Sequence, residues 1–472
     1  MSQTFDVVII GAGAVAENVA DRAVQGGLTA VLVESELVGG DCSYWACMPS
    51  KALIRSGNAL RAAERVGGAR ESVTGQLDVA AVFARRNGFT HDWDDSSQVA
   101  WVEGAGISLV RGHGRLSGVK EVTVTAPDGA ETLLIARHAV VVSTGSDPLL
   151  PDIRGLRDAA PWTPRDATSA QVAPASLAII GGGVVAVEMA TAYASFGTKV
   201  TILARHGLLE NQEDFAGEMV AEGLGHLGVD IRIASPSRVE RSEDGVAILV
   251  DDDVLLAEEV LVATGRTPRS TDIGLETVGL TPGDWLDVDD TLRVVGSDWL
   301  YGVGDINHRV LLTHQGKYQA RAAGDVIAAR AHAETVDDAP WGVHVATADH
   351  SAVPQVTFSE PEVASVGLTS AAAKDAGYDI RVVDYDLGAV AGASVQADGY
   401  TGKARMVVDE ARGVIIGVTF VGQDVSEMLH AATTAIVGEV PIERLWHAVP
   451  AYPTMNEIWL RLLETYGRPT VD

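Results

Sequence analysis

Phe5 to Ile10 reads as a short apolar strand that breaks at once into Gly11-Ala-Gly13-Ala14-Val-Ala16. An apolar run of this length suits a strand covered on both faces. Helix-forming sequence continues to Gly26-Gly27, and a second strand, Thr29 to Val33, ends at Glu34. The pattern is strand, glycine turn, helix, strand, with an acid about 20 positions beyond the glycines. The first two glycines permit a tight turn and close backbone approach, and the helix N-terminus faces a pyrophosphate. Glu34 would accept from a ribose hydroxyl, and Ala16 stands where a third glycine often does. Glycines in this spacing are weak evidence alone; in this context they predict a dinucleotide-binding unit.

Leu60 to about Ala100 is polar-helical and carries no visible chemistry. Val110 to Ala139 alternates in short strands with Gly and Pro-Asp-Gly turns, which predicts a small meander. Ala139 to Ser146 is a further buried strand ending in a glycine turn. Pro148 to Pro174, rich in Pro, Asp and Arg, reads as a linker. The opening unit then recurs. Leu177 to Ile180 is a strand, Gly181-Gly-Gly183-Val184-Val185-Ala186 the turn, Glu188 to Phe196 a helix and Lys199 to Leu203 the next strand. Two such units predict two dinucleotides. The second ends in Ala204-Arg205-His206 instead of an acid. A ribose 2′-phosphate wants a cation there, which favours NADP(H) over NAD(H); the plainer alternative is that Arg205 only decorates the surface.

Leu255 to Ala263 with Thr264-Gly265-Arg266-Thr-Pro268 repeats the strand-and-turn logic. Tyr301-Gly-Val-Gly304-Asp305 places a carboxylate at a strand end, suited to a ribityl or ribose hydroxyl. Leu311-Leu312-Thr313-His314 opens an Ala-rich helix reaching about Ala333, whose amides would stabilise negative charge on an electron-rich ring. From Pro354 the sequence turns to strands (Val356–Phe358, Ala404–Val408, Val414–Val421) and helices (Ser426–Val437, Pro441–Trp446), which predicts a separate antiparallel α+β domain.

At 472 residues the chain exceeds a single core. The formal net charge of −29 argues against nucleic acid and suits a solvated acidic surface or a high-salt habitat. No apolar run reaches the ~18 residues of a spanning helix, and no signal segment opens the chain, so a cytoplasmic protein without membrane contact is expected. The only 2 cysteines, Cys42 and Cys47, flank Ser43-Tyr44-Trp45-Ala46. Zinc would need two further ligands nearby, and none follows at suitable spacing. Pro49-Ser50-Lys51 reads as a helix start, and a helix N-terminus lowers a thiol's pKa, placing Cys47 to become a thiolate. A redox disulfide is the expectation, with two inert buried cysteines as the alternative.

These motifs, with Pro354-Gln-Val-Thr-Phe-Ser-Glu-Pro-Glu362, resemble from end to end the class I pyridine nucleotide–disulfide oxidoreductases, relatives of dihydrolipoamide dehydrogenase, glutathione reductase and mercuric reductase. The resemblance implies an α/β fold with two Rossmann-like domains, for FAD and NAD(P), plus a C-terminal α+β dimerisation domain. It implies an FAD-binding domain over 1–150 and 271–345, an NAD(P)-binding domain over 151–270, an interface domain over 346–472, and a homodimer whose active site the partner subunit completes. FAD would lie along Gly11, Gly13, Ala14, Ala16, Glu34, Ser35, Gly40, Asp41, Cys42, Lys51, Gly114, Thr144, Gly145, Asp305 and the turn Leu311, Leu312, Thr313, His314. NAD(P) would lie along Gly181, Gly183, Val184, Val185, Glu188, Arg205, His206, Val239, Gly265 and Arg266. Cys47 matches the flavin-facing thiolate and Cys42 the thiol that attacks substrate. Lys51 and Glu188 match an ion pair beside the flavin, where a cation favours the reduced ring.

The family's second 2′-phosphate arginine is Asn211 here. Its C-terminal His-Pro, followed by Glu, is Tyr452-Pro453-Thr-Met-Asn-Glu457. Imidazole titrates near pH 6.5 and phenol near 10, about 3.5 apart, so Tyr452 is a poor proton acceptor. His447 stands five residues upstream as a substitute. The expected activity is NAD(P)H-dependent reduction of a disulfide. The alternatives are a quinone reductase or diaphorase, or a transhydrogenase, in which dithiol exchange is impaired. A flavin-bearing sensor is disfavoured by the second dinucleotide motif.

Overall fold

The computed structural model describes residues 2–468. Strand β1 (Ser2–Ile10), helix α1 (Ala14–Gln25) and β2 (Ala30–Glu34) form the opening unit. Short α2 (Gly40–Tyr44) and long α3 (Cys47–Glu64) follow, then α4 (Val79–Phe89) and α5 (Ser96–Gly104). Strands β3 (Ser108–Arg111), β4 (His113–Gly118), β5 (Glu121–Thr125), β6 (Glu131–Val142) and β7 (Ser146–Pro148) come next. The second strand–helix repeat comprises α6 (Pro164–Ser169), β8 (Ser176–Ile180), α7 (Val184–Ser195), β9 (Lys199–Ala204), α8 (Asp214–His226) and β10 (Asp230–Ile233). It leads to β11 (Pro236–Ser242), β12 (Gly245–Val250), β13 (Asp253–Ala257), β14 (Glu259–Val262) and β15 (Arg266–Pro268). After β16 (Leu300–Gly302) and α9 (Thr313–Ala331), five strands remain. These are β17 (Pro354–Thr357), β18 (Glu362–Gly367), β19 (Ile380–Asp386), β20 (Gly402–Asp409) and β21 (Val414–Gly422).

Two compact units result. The first takes Met1–Pro49, Arg86–Leu149 and Gly265–His350. Its sheet runs β3-β2-β1-β6-β5-β4, with β16 also on β6. The core strands β3, β2, β1, β6 and β16 are parallel, and β4 and β5 return antiparallel. The opening apolar run is buried on both faces. Val7, Ile9 and Leu32 pack with Ala16 and Val19 of α1 and Ala323 and Val326 of α9. Val8, Ile10, Val31 and Val33 pack with Leu116, Val122 and Leu134. Each such side chain contributes about 1.5–3 kcal/mol on burial.

The second unit takes Ser50–Arg85, Leu150–Thr264 and Ser351 onward. It holds a parallel sheet β10-β9-β8-β14, a three-stranded antiparallel sheet β11-β12-β13 and a five-stranded antiparallel sheet β17-β18-β21-β20-β19. Burial again alternates by residue. Leu177 and Ile179 pack with α7 and α8, whereas Ala178 and Ile180 pack with Val246 and Ile248 of β12. Helices Leu429–Val437 and Glu457–Tyr466 cover the five-stranded sheet. Among the described residues no helix is long and apolar enough to cross a membrane.

The two glycine turns are built alike. Gly11 has φ +106°, and a Cβ there would stand 2.4 Å from the Ser143 carbonyl just past β6. Gly181 has φ +130°, with a Cβ position 2.2 Å from the Ala263 carbonyl just past β14. Both conformation and space exclude a side chain.

Several expectations need correction. The stretch 148–174 is not a plain linker. It contains α6, with Pro164 in its first turn and a capping box between Thr163 and Asp166, and it buries Leu156, Ala159 and Ala167. The meander and the strand after Ala139 share one strand of 12 residues, β6; β1 pairs along most of its length on one edge, while the other edge pairs first with β5 and then with β16. Residues 255–263 divide between β13 and β14, which belong to different sheets. The C-terminal sheet also contains β18 and β19, unread in the sequence.

Candidate active site

Cys42 lies within α2 and Cys47 opens α3. The Asp41 carbonyl gathers the Trp45 and Ala46 amides at 2.8 and 2.6 Å, folding the intervening residues back. Both cysteines stand as thiols. The hydrogen bond to Cys47 pushes the Cys42 thiol well up, with burial and the Cys47 charge adding to it; Thr313 and Lys317 pull the other way. Cys42 therefore holds its proton as a thiol. Cys47 Sγ also lies 3.3 Å from Thr313 Oγ1, the first residue of α9. Tyr44 is buried beneath this loop, and burial with the nearby Asp95 charge pushes its phenol up to about 12.

The first unit fits a flavin dinucleotide. Gly13 caps α1 without a side-chain hydrogen bond, so the first-turn amides of Ala14 and Ala16 remain available to a pyrophosphate. Gly39 bridges Gly13, and a Cβ on Gly40 would stand 2.9 Å from the Gly13 Cα, so backbone lines the turn. Glu34 Oε2 accepts the Ala12 amide at 2.7 Å and Oε1 the Glu36 amide at 2.8 Å; burial raises its pKa. A carboxylate so fixed can also accept ribose hydroxyls. Asp305 Oδ2 accepts from Ser146 Oγ at 2.5 Å. Thr144 donates to the Arg269 carbonyl, and Gly145 follows with φ +76°. Gly114 is buried in β4, Ser35 is exposed, and Leu311, Leu312 and His314 flank the start of α9.

The second unit fits a nicotinamide dinucleotide. Gly183 caps α7 without a side-chain bond, and the next residues, Val184 and Val185, are 40% and 37% exposed, an apolar ledge beside unsatisfied amides. Arg205 and His206 are exposed just past β9, with no acid at the strand end. Lys51 Nζ donates to Glu188 Oε2 at 2.7 Å, while Glu188 Oε1 accepts the Phe358 amide at 3.1 Å. The Lys51 ammonium also stands 5.0 Å from the centre of the Phe358 ring.

Two further residues expected along NAD(P) are Val239 and Arg266. The Val239 side chain is fully buried against β12, and its amide donates to the Arg154 carbonyl. Arg266 belongs to the flavin-side cluster. Its Nε donates to Ser146 Oγ at 2.5 Å, and its guanidinium pairs with Asp41 at 3.4 Å and Asp305 at 3.6 Å. Gly265 precedes it at φ +139°. Sequence reasoning gave no role to Ser146 and Phe358, although both lie in stretches it singled out, nor to Glu17 and Lys317, which no motif marks.

At the C-terminus Tyr452 is 76% exposed. Glu457 is buried, accepting the Ala391 amide at 3.1 Å and an Arg461 bond at 2.6 Å. His447 is exposed.

Residues 5–324 match the family profile described as Pyridine nucleotide-disulphide oxidoreductase, and residues 353–462 match its dimerisation domain. The chain is 30% identical over 473 residues to a dihydrolipoyl dehydrogenase of Chlamydia pneumoniae, spanning 97% of this chain and 96% of that one. It is 29% identical over 462 residues to a mercuric reductase of Staphylococcus aureus, spanning 96% and 81%. Its fold is similar to that of the HOCl-induced flavoprotein disulfide reductase RclA from Escherichia coli, solved as a Cu(II) complex. The TM-score is 0.84 at 23% identity, over 98% of this chain and 99% of that one.

Proposed function

Because the chain belongs to the pyridine nucleotide-disulphide oxidoreductase family, we propose that it draws hydride from NADPH and passes two electrons through Cys42–Cys47 to a small disulfide. The family binds FAD and a pyridine nucleotide. The observation carrying the reading is the thiol pair itself, mutually hydrogen bonded and backed by Thr313.

When bound, a flavin would supply the two-electron chemistry that links the nicotinamide to the disulfide. The α1 amides hold its pyrophosphate, Glu34 a ribose and Asp305 a ribityl hydroxyl. Lys51, fixed by Glu188, would supply the cation that favours the reduced ring. Thr313 donates to the Cys47 thiolate, and Cys42 keeps the proton. Arg205 and His206 favour NADPH over NADH. The domain division we propose is 1–150 with 271–345 for FAD, 151–270 for NADPH, and 346–472 as the interface of a homodimer. Tyr452 and Glu457 would be contributed across that interface.

A second reading, reduction of quinones or similar acceptors, is favoured by one observation: a phenol stands at 452, where thiol exchange wants an imidazole. Anaerobic titration with NADPH and then NADH tests the first steps. Long-wavelength thiolate–flavin absorbance should appear, at lower concentrations of NADPH. Cys42→Ser should abolish turnover of glutathione disulfide and lipoamide while sparing quinone. If wild-type protein reduces quinone but neither disulfide, the second reading replaces the first.

A further inference from the structure

Glu17 sits one turn into α1, among apolar side chains of the first unit, and its Oε1 is buried without a hydrogen-bond partner. Three elements present charged or titratable groups to it. Lys317 comes from α9, one turn beyond Thr313; Glu34 ends β2; and Tyr44 comes from α2. The Tyr44 hydroxyl is likewise buried without a partner, and it faces Asp95, Asp94 and Arg111 on its other side. Lys317 acts through space on Glu17 and on the Cys42 thiol alike. A carboxyl and a dithiol thus share one lysine.

We propose that Glu17 is a positioning residue for the thiol couple, taking up a proton when the Cys42–Cys47 disulfide is reduced. This rests on the reading of that couple as redox-active. Reduction breaks the S–S bond; two electrons, supplied by the pyridine nucleotide, and one proton leave Cys42 as thiol and Cys47 as thiolate. One negative charge is added beside Lys317. A second proton, from solvent, converts the Glu17 carboxylate to the neutral acid, and the charge of the cluster is unchanged. Burial pushes the Glu17 carboxyl up to about 7, with the Glu34 charge adding and Lys317 opposing, so the group changes state under working conditions. The new thiolate raises it further.

The sign follows. Below pH 7 Glu17 is already neutral and reduction needs no extra proton. Above pH 7 the carboxylate must be protonated as the thiolate forms, so reduction becomes harder by up to about tenfold per pH unit. The test equilibrates the full-length flavoprotein with dithiothreitol couples of known ratio at several pH values. The dithiol fraction is read by alkylation and mass. Wild type should match Glu17→Gln below pH 7 and fall progressively behind it above. Glu17→Asp should restore the dependence, and Lys317→Met should move the divergence to higher pH. Parallel curves for wild type and Glu17→Gln overturn the inference while leaving the redox couple intact. If Glu17→Gln does not fold, an unmoved inflection in Lys317→Met overturns it. A protein that forms no dithiol in any couple removes both this inference and the reading beneath it.

Discussion

Lys51 and Glu188 form a lopsided ion pair, and the lopsidedness is testable. The Lys51 side chain is 36% exposed and that of Glu188 only 4%. Lys51→Met strands a buried carboxylate with the Phe358 amide as its remaining hydrogen bond. Breaking a buried pair from that side costs about 3–5 kcal/mol. Glu188→Gln instead leaves an ammonium that water already reaches, over the face of Phe358, and should cost about 1 kcal/mol. Removing both charges together should recover most of the loss. Because the chain has two compact units, a single unfolding midpoint would blur these terms, and local opening is the better readout. Hydrogen exchange across α7 should accelerate about 200- to 5,000-fold in Lys51→Met and about 5-fold in Glu188→Gln, with the double variant close to the latter. Equal or reversed rates for the two single variants would refute the assignment of the cost to the buried carboxylate.

Gly11→Ala forces a side chain into a left-handed conformation and against the Ser143 carbonyl, adding about 1–2 kcal/mol of backbone strain and about 1–3 kcal/mol of overlap. It should lower the flavin content of the purified protein and the thermal midpoint, whereas Gly129→Ala, at φ +84° in open space, should lower only the midpoint and by less; equal effects would discard the cradle. If the C-terminal run supplies no imidazole to protonate a departing thiol, disulfides with acidic leaving thiols should be reduced at least tenfold faster than lipoamide, because a low-pKa thiolate leaves unaided. Steady-state rates along a series of aryl and alkyl disulfides check this, and a rate independent of leaving-group pKa would show that a proton donor is present.

Both strand–turn–helix–strand repeats were legible because three signals coincide there: apolar runs, paired glycines and a helix start. Alternation within the runs did not have to be guessed, since both faces are covered. The helix α6 was missed although Thr163, Pro164 and Asp166 spell an N-terminal cap; the local richness in Pro and Asp outweighed it. Strand β6 was divided because Arg137 and His138 interrupt its apolar run, between the residues that pair with β5 and those that pair with β16. Strand β19, at the sheet edge, buries little but Val383 and so shows weak patterning. The site was less legible than the fold. Lys51 and Glu188 are 137 positions apart and Arg266 and Asp41 225 apart, and nothing local records such meetings. Val239 came from a family pattern, and its side chain sits inside the core.

The departures of this chain fall on protons more than on electrons. The elements that would hold two dinucleotides rest on backbone: two glycine turns of the same geometry, two uncapped helix N-termini, and carboxylates fixed by amides. Those features tolerate little change without loss of the fold. Proton handling rests on single side chains, which can be exchanged one at a time. Position 452 carries an exposed phenol, Glu457 is engaged by Ala391 and Arg461, and the Cys42 thiol is pushed well up by its hydrogen bond to Cys47. A buried acid, Glu17, stands instead behind the couple. Exchanging proton groups alters which acceptor can be served and at what pH, while leaving entry of reducing equivalents from the nucleotide as it was. Under the proposed function, the phenol at 452 would therefore bear on the oxidising substrate and not on entry of reducing equivalents from the nucleotide.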